Sequence, residues 1–420
     1  MGWGPRACRT AAGLLLLVLA AGGCQEHERS ASSASGPLVA YTIAKSTPWF
    51  QPGDATFVVT KGRTPVKTMT KHVEASRFGG FGRPAFTADG KYAFAQYADE
   101  QVGRYPYDGG DIRAELAWVD VANGQTHEAA IPAQSRTSDQ PPGRPGQPYA
   151  LHDSTVVWQA PTPPNAPDGQ VLLMQLDLSE PNAVPSILRT VQLPPRTPEQ
   201  RAVPYRDMDF TGNVVGAGHG QVVIAKKYDS DPQTQSDRLF LVDADAAVRD
   251  LGVLPTSEWV SATFSPDGSR LAYETGKYAK AGTCGAHQVS VFDSATGRPA
   301  ADFPPAPFDA TPRPYFYGNS DAAVWWTSDG KLRAAAGVGK CPGNPSEITP
   351  DDGVWELHGL QWTQVDPAGT YRDYPLPSGD VVVMAKTAGS TDTGLFVRSS
   401  GQLVHVADVK AADVAVAPAS

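Results

Sequence analysis

An all-β chain folded as a seven-bladed β-propeller is the architecture that the sequence predicts, and three observations predict it. A turn motif recurs along the chain, the recurrences are spaced as multiples of one repeat, and the two chain ends each carry an incomplete piece of a repeat. The motif is clearest in Phe86-Thr87-Ala88-Asp89-Gly90-Lys91-Tyr92-Ala93-Phe94-Ala95 and Phe264-Ser265-Pro266-Asp267-Gly268-Ser269-Arg270-Leu271-Ala272-Tyr273. A weaker copy is Trp326-Thr327-Ser328-Asp329-Gly330-Lys331-Leu332. In each, an apolar or aromatic strand end enters a turn in which Asp caps the backbone and Gly tolerates positive φ, and a second strand leaves antiparallel.

Further hairpins follow downstream at Leu116–Thr126 and Val289–Arg298, so one repeat holds four strands. Asp267 and Asp329 are 62 residues apart and Asp89 and Asp267 are 178 apart, which fits three units of about 59. That is a blade repeat of roughly 40 to 50 residues enlarged by loop insertions. Two degenerate blades fill the gap. One comprises Tyr149–His152, Thr155–Gln159, Val171–Asp177 and Ile187–Leu193, and the other Met208–Val215, Gln221–Lys226, Arg238–Asp243 and Ala247–Leu254. Tyr371–Leu376, Asp380–Lys386, Leu395–Ser399 and Gln402–Ala407 make the last complete one.

At the N-terminus, Leu38–Ala44, Ala55–Thr60 and Thr64–Lys71 supply three strands and lack the innermost. Ala412–Ala417 is a leftover strand at the other end. Joining them closes a ring with no exposed edge and gives seven blades, with six as the alternative. The repeats resemble those of the TolB-type, WD-like propeller family, in which a Phe-Ser-Pro-Asp-Gly-like turn marks each blade. Phe264–Tyr273 is the best copy, and the resemblance spans nearly the whole chain after residue 36.

The first 23 residues read as an export signal. Arg6 and Arg9 precede the apolar run Leu14–Ala21, which is too short for a stable span, and small residues lead into Cys24. The segment resembles a bacterial lipobox, with Ala21 where Leu is usual, and implies that Cys24 is diacylated and becomes the new N-terminus. An ordinary secretory signal and a retained anchor are the alternatives. Residues 24–36 are polar and Ser-rich, as a flexible tether would be, and 37–420 form a single propeller domain. The implied location is the outer face of the cell membrane, or the outer membrane in a Gram-negative source. Ala, Gly and Pro richness suits a high-GC actinobacterium.

Loss of the signal removes two arginines and moves the formal charge from −9 to −11. That acidity disfavours nucleic acid, whose phosphates require Lys and Arg. Of the four cysteines, Cys284 and Cys341 then remain as a pair, each between the second and third strands of its blade. In an oxidising compartment they read as a disulfide, contributing about 3 to 4 kcal/mol by the chain-entropy model. The eight histidines show no metal-ligand spacing, and neither H-E-x-x-H nor G-x-S-x-G occurs. Asp229, Asp231 and Asp237 lack EF-hand spacing and its glycine, so they read as a solvated acidic loop. Asp293-Ser294-Ala295-Thr296-Gly297 resembles a quinoprotein turn without the tryptophan that follows it there. No metal or cofactor is expected.

The candidate binding face lies where second strands end and blades connect. Tyr97, Tyr228 and Tyr278 close second strands, and Tyr105, Tyr107, Asp108, Asp111, Asp229, Asp231 and Asp237 follow them in the next connections. Arg206, Trp259, Arg313, Tyr315 and Tyr317 fall in the links between blades. Aromatics and Arg beside carboxylates compose recognition surfaces; the bland alternative is that the tyrosines merely finish amphipathic strands at the water boundary. The expected function is a monomeric, membrane-anchored module that binds a protein, peptide or envelope polymer. The rival is an extracytoplasmic lyase, lactonase or glycosidase with carboxylates in the central funnel.

Cys24→Ala should abolish lipid labelling and signal processing, checked by metabolic labelling and N-terminal mapping. Two acyl chains at about 0.8 kcal/mol per buried methylene hold a protein firmly, where one holds it marginally.

Overall fold

A computed structural model describes residues 36–43, 52–73, 79–100, 112–132, 146–161, 166–202, 212–228, 236–243, 247–254, 261–278, 285–304, 324–336, 353–367, 369–386, 393–409 and 414–418. In it the Asp-Gly segments are tight hairpins with one shared hydrogen-bond scheme. The Ser265 hydroxyl donates to Asp267 at 2.6 Å and accepts from the Arg270 amide at 2.9 Å, while the Gly268 amide donates to the Ser265 carbonyl at 2.8 Å. Thr87 with Asp89, and Thr327 with Asp329, repeat it. Gly268 sits at φ +72°, and a Cβ there would meet Cγ of His219 at 2.6 Å, so both the turn and the neighbouring blade require glycine.

The strands form seven small antiparallel sheets in a ring. Blade one holds β1 (Leu38–Ile43), β2 (Gly53–Lys61) and β3 (Thr64–Val73). Blade two holds β4 (Gly80–Phe81), β5 (Ala85–Phe86), β6 (Tyr92–Glu100), β7 (Ile112–Asp120) and β8 (Thr126–Ile131). Blade three is β9 (Tyr149–His152), β10 (Thr155–Gln159), β11 (Gln170–Asp177) and β12 (Ser186–Gln192), and a short helix, α1 (Pro198–Ala202), follows it. Blade four is β13 (Asn213–Gly218), β14 (Gln221–Lys226), β15 (Arg238–Val242) and β16 (Val248–Val253). Blade five has β17 (Ser261–Phe264), β18 (Arg270–Tyr278) and β19 (Gly285–Asp293); blade six has β20 (Val324–Trp326), β21 (Leu332–Ala336), β22 (Gly353–His358) and β23 (Gln361–Asp366). Blade seven is β24 (Thr370–Pro375), β25 (Val381–Lys386), β26 (Thr393–Ser399) and β27 (Gln402–Val409), and β28 (Val414–Val416) completes blade one.

The ring closes as the chain ends predict. β28 pairs antiparallel with β1 through Val39–Val416, Ala40–Ala415 and Tyr41–Val414, and the Ala417 amide donates to the Leu38 carbonyl at 3.0 Å. Two details depart from the sequence expectation. β4 adds a second short inner strand to blade two, and the hairpin expected at Val289–Arg298 is reduced, among the described residues, to one bridge between Phe292 and Pro299. Pro299 has no N–H to extend a ladder, and Pro304 follows shortly.

Every sheet stands radially and buries both faces, so alternate residues of one strand pack on different neighbours. In β6, Ala93 and Ala95 face blade one with Phe57 and Val59, while Phe94 faces blade three with Trp118 and Trp158. In β14, Val222 and Ile224 face blade three, and Val223 faces blade five. This two-sided burial explains the unbroken apolar runs of the second strands, such as Thr155–Gln159, buried throughout. Each fully buried large side chain contributes about 1.5 to 3 kcal/mol.

Polar bolts cross the same boundaries. Ser154 donates to Asp89 at 2.8 Å, His219 meets the Ser265 carbonyl at 3.2 Å, and Trp326 donates to the Thr263 carbonyl at 3.2 Å. Burial alone would raise the Asp89 carboxyl, but hydrogen bonds from Thr87, Ser154 and Lys91 outweigh it and hold it at about 2.

Deleting 410–420 should uncover β1 and leave Leu38, Val39 and Tyr41 without cover, lowering the melting temperature and producing aggregation. Unchanged melting and solubility would count against the closure.

Candidate functional site

Of the sequence-predicted site residues, the structure brings Tyr228 and Asp237 together and places Tyr97 elsewhere. The Tyr228 amide donates to Asp237 Oδ1 at 2.9 Å, and its hydroxyl donates to the Pro194 carbonyl at 2.9 Å. Burial pushes the Tyr228 phenol up to about 12. Tyr97 is 4% exposed, donates to the His72 carbonyl at 2.9 Å and packs edge-on against Phe81. Asp237 is buried rather than part of a solvated loop, because it ties the base of the connection between β14 and β15. These tyrosines therefore bolt one blade to the chain of its neighbour and, as placed, offer no open surface. Cys24, Tyr105, Tyr107, Asp108, Asp111, Arg206, Asp229, Asp231, Trp259, Cys284, Arg313, Tyr315, Tyr317 and Cys341 lie outside the described residues, as does the Tyr278 side chain.

Beside Tyr228 lies a charged cluster that sequence reasoning missed. Lys226, the last residue of β14, is fully buried; its Nζ donates to the Pro194 carbonyl at 2.5 Å and to Asp168 at 3.3 Å, and lies 4.7 Å from the Tyr228 ring. Burial lowers the Lys226 pKa, partly offset by Asp168. Asp168 is held below the usual carboxylate range because the Arg196 backbone and side chain and the Lys226 charge outweigh its burial. A Cβ on Gly169 would meet the Leu193 carbonyl at 2.4 Å, so the backbone closes over this lysine.

A second cluster sits between blades six and seven. Other blade boundaries carry substantial apolar clusters, whereas here the buried apolar residues are Trp325 and Val354, with Ala335, Val365 and Tyr374 beside them. The space holds ions. Arg333 on β21 pairs with Asp373 on β24 and, at 2.6 Å through Nε, with Glu356 on β22. Glu356 also meets Lys331 at 3.2 Å and His358 at 2.9 Å. Asp366, closing β23, pairs with Arg398 of β26 at 2.6 Å and lies against Asp373. Burial raises the Asp373 carboxyl to about 7; Arg333 pulls it down and neighbouring Asp366 pushes it further up.

Alternation places these groups. Leu332 and Ala334 face blade five, which turns Arg333 toward blade seven; Leu357 does the same for Glu356. The signal available in the sequence was a charge inside each of three apolar strands, Leu332-Arg333-Ala334, Trp355-Glu356-Leu357 and Tyr371-Arg372-Asp373-Tyr374. In a sheet buried on both faces such a charge requires a partner on the next blade. Among the described residues no group of three or more His, Cys, Asp or Glu is arranged to hold a metal ion.

The fold thus defines a closed seven-bladed propeller. No family model matches the chain, and no curated protein is similar to it in sequence. Among solved structures it is similar to an acylaminoacyl peptidase of Pyrococcus horikoshii (8% identity over 79% of this chain and 46% of that one, TM-score 0.46). It is also similar to a Bacteroides fragilis protein described as a 6-phosphogluconolactonase (12%, 92% and 98%, 0.44) and to a Lactobacillus plantarum protein (13%, 91% and 98%, 0.43). The chain spans 46% of the length of the Pyrococcus peptidase. No chemistry is carried over from these likenesses.

Arg333→Ala should leave Glu356 and Asp373 buried with their main cation gone, costing about 3 to 5 kcal/mol in denaturant unfolding. Arg238→Ala, which removes a half-exposed pair with Asp250, should cost under about 1 kcal/mol.

Proposed function

We propose that the chain is an exported, lipid-anchored propeller of the TolB-like, WD-like type that binds a protein, peptide or envelope polymer. The observation that carries this reading is topological. The strands flanking residues 101–111, 227–237, 279–284, 337–352 and 387–392 all end or begin at the same end of their blades, and the links between blades leave from that end too. Tyr105, Tyr107, Asp108, Asp111, Trp259, Arg313, Tyr315 and Tyr317 are carried by these connections. We infer that aromatic, Arg and carboxylate side chains from several blades meet on that face, the composition of a binding surface.

The carboxylates with described partners support binding over catalysis. Asp89, Asp267, Asp293 and Asp329 cap turns, while Asp168, Asp243, Asp366 and Asp373 neutralise cations. The enzyme reading draws on Asp373, whose raised pKa suits a general acid, but that residue is 3% exposed inside a blade boundary. Membrane attachment through Cys24 and a Cys284–Cys341 disulfide complete the proposal. Both rest on sequence position and on the export signal.

The soluble 37–420 chain should bind an envelope fraction. Joint replacement of Trp259, Tyr315 and Tyr317 by Ala should weaken capture by roughly thirtyfold or more, the loss that a hot spot of about 2 kcal/mol represents. Undiminished capture by that variant, or turnover of lactone or glycoside substrates by the parent chain, would overturn the reading.

A further inference from the structure

The boundary between blades six and seven holds two buried carboxyls in contact, each with one oxygen committed and one without a donor. Asp366 Oδ1 is bound by Arg398 and Asp373 Oδ2 by Arg333. Asp366 Oδ2 and Asp373 Oδ1 are fully buried and have no hydrogen-bond partner. Two carboxylates offer only acceptors, so both oxygens remain unsatisfied unless a proton lies between them, and leaving buried acceptors unsatisfied is costly. We propose that one proton shared by Asp366 and Asp373 locks blade seven to blade six, and that its release as pH rises loosens this boundary of the ring.

Among the described residues, the charged and titratable neighbours of the pair come from both blades. Lys331 from the β20–β21 turn, with Asp329 beside it, and Arg333 from β21 approach from blade six, with Glu356 and His358 from β22. β24 contributes buried Arg372 and half-buried Tyr374, and β26 contributes Arg398. Arg333 is divided between Glu356 and Asp373 and does not remove the need for a proton. A single shared proton satisfies both orphan oxygens and leaves each carboxyl its arginine. The apolar packing at this boundary is thin, so the polar contacts decide whether it stays shut.

The direction follows from linkage. Asp373 titrates near 7 in the closed ring and near its ordinary 3.8 once exposed, so the closed form binds a proton that the open form releases. The lock is complete below the exposed value, weakens by up to tenfold per pH unit between the two, and is gone above about 7. The turn carboxylates behave oppositely. Asp89 and Asp267, held at about 2, stabilise the fold above about 4 and lose that contribution only as pH falls toward 2.

Hydrogen exchange on the full chain, corrected for intrinsic rates, tests the proposal. From pH 5 to 7.5, protection of β22 and β24 should fall tenfold or more while β10 and β14 change little. The infrared carbonyl band of a protonated carboxyl should be present at pH 5.5 and lost by pH 8.5. In Asp373→Asn the side-chain amide donates to Asp366 in place of the proton, so that band should vanish and protection become flat with pH. Should that variant fail to fold, Asp366→Asn and the parent's infrared titration carry the same test. A parent chain without the protonated band at pH 5.5, or with pH-independent protection of β24, would overturn the proposal.

Discussion

Burial of each sheet on both faces is the constraint on which the rest of this structure depends. A radial blade has no solvent face to give away, so the side chains of one strand are divided between two neighbours: Phe94 serves one boundary while Ala93 and Ala95 serve the next. A blade is consequently stable only between two others, and the series has to return on itself. The short β28, three residues paired with β1, performs that return and brings residues near 40 and 415 into one sheet. Its placement also covers Val39 and Tyr41 beside Val382 and Met384 of blade seven, so closure is an apolar event as well as a hydrogen-bonded one.

Within that ring, the boundary between blades six and seven is held on different terms. Elsewhere Trp, Leu, Val and Phe fill the gap; here Arg333, Glu356, Asp366, Asp373 and Arg398 fill it. Buried ion clusters contribute specificity more readily than stability, because desolvation consumes most of the Coulombic gain. Such a boundary aligns its blades in one register and becomes sensitive to any change in the charge of a member. Lys226 plays a related part between blades three and four. There the buried ammonium is held by Asp168 and the Pro194 carbonyl, which fastens the link.

The topology also separates two kinds of sequence. Short, hydrogen-bonded hairpins such as Thr87–Tyr92 and Ser265–Arg270 close one end of the blades with stereotyped residues, and the other end receives the long connections, whose composition differs from blade to blade. A rigid scaffold carrying variable connections on one face is a common arrangement for recognition. Tyr97 and Tyr228 mark the dividing line. Their rings belong to the packed body, and their hydroxyls anchor the chain from which those connections depart.

The sequence by itself pointed to a ring of seven blades with six left open, to most of the strand pairs and to the closing strand, because these depend on local patterns. Asp-Gly turns recur at a fixed period, apolar runs mark the second strands, and three strands at one end complement one at the other. Only the tertiary structure decided what each polar residue near a strand end does. Tyr97, Tyr228 and Asp237 look alike in sequence to residues of an exposed rim, yet they are buried, since whether a strand end meets water depends on the chain laid across it by the neighbouring blade. The pairing of Arg333 with Asp373, and of Asp366 with both Asp373 and Arg398, was equally invisible. These partners lie on four different strands, and nothing in local periodicity records which faces the ring will press together.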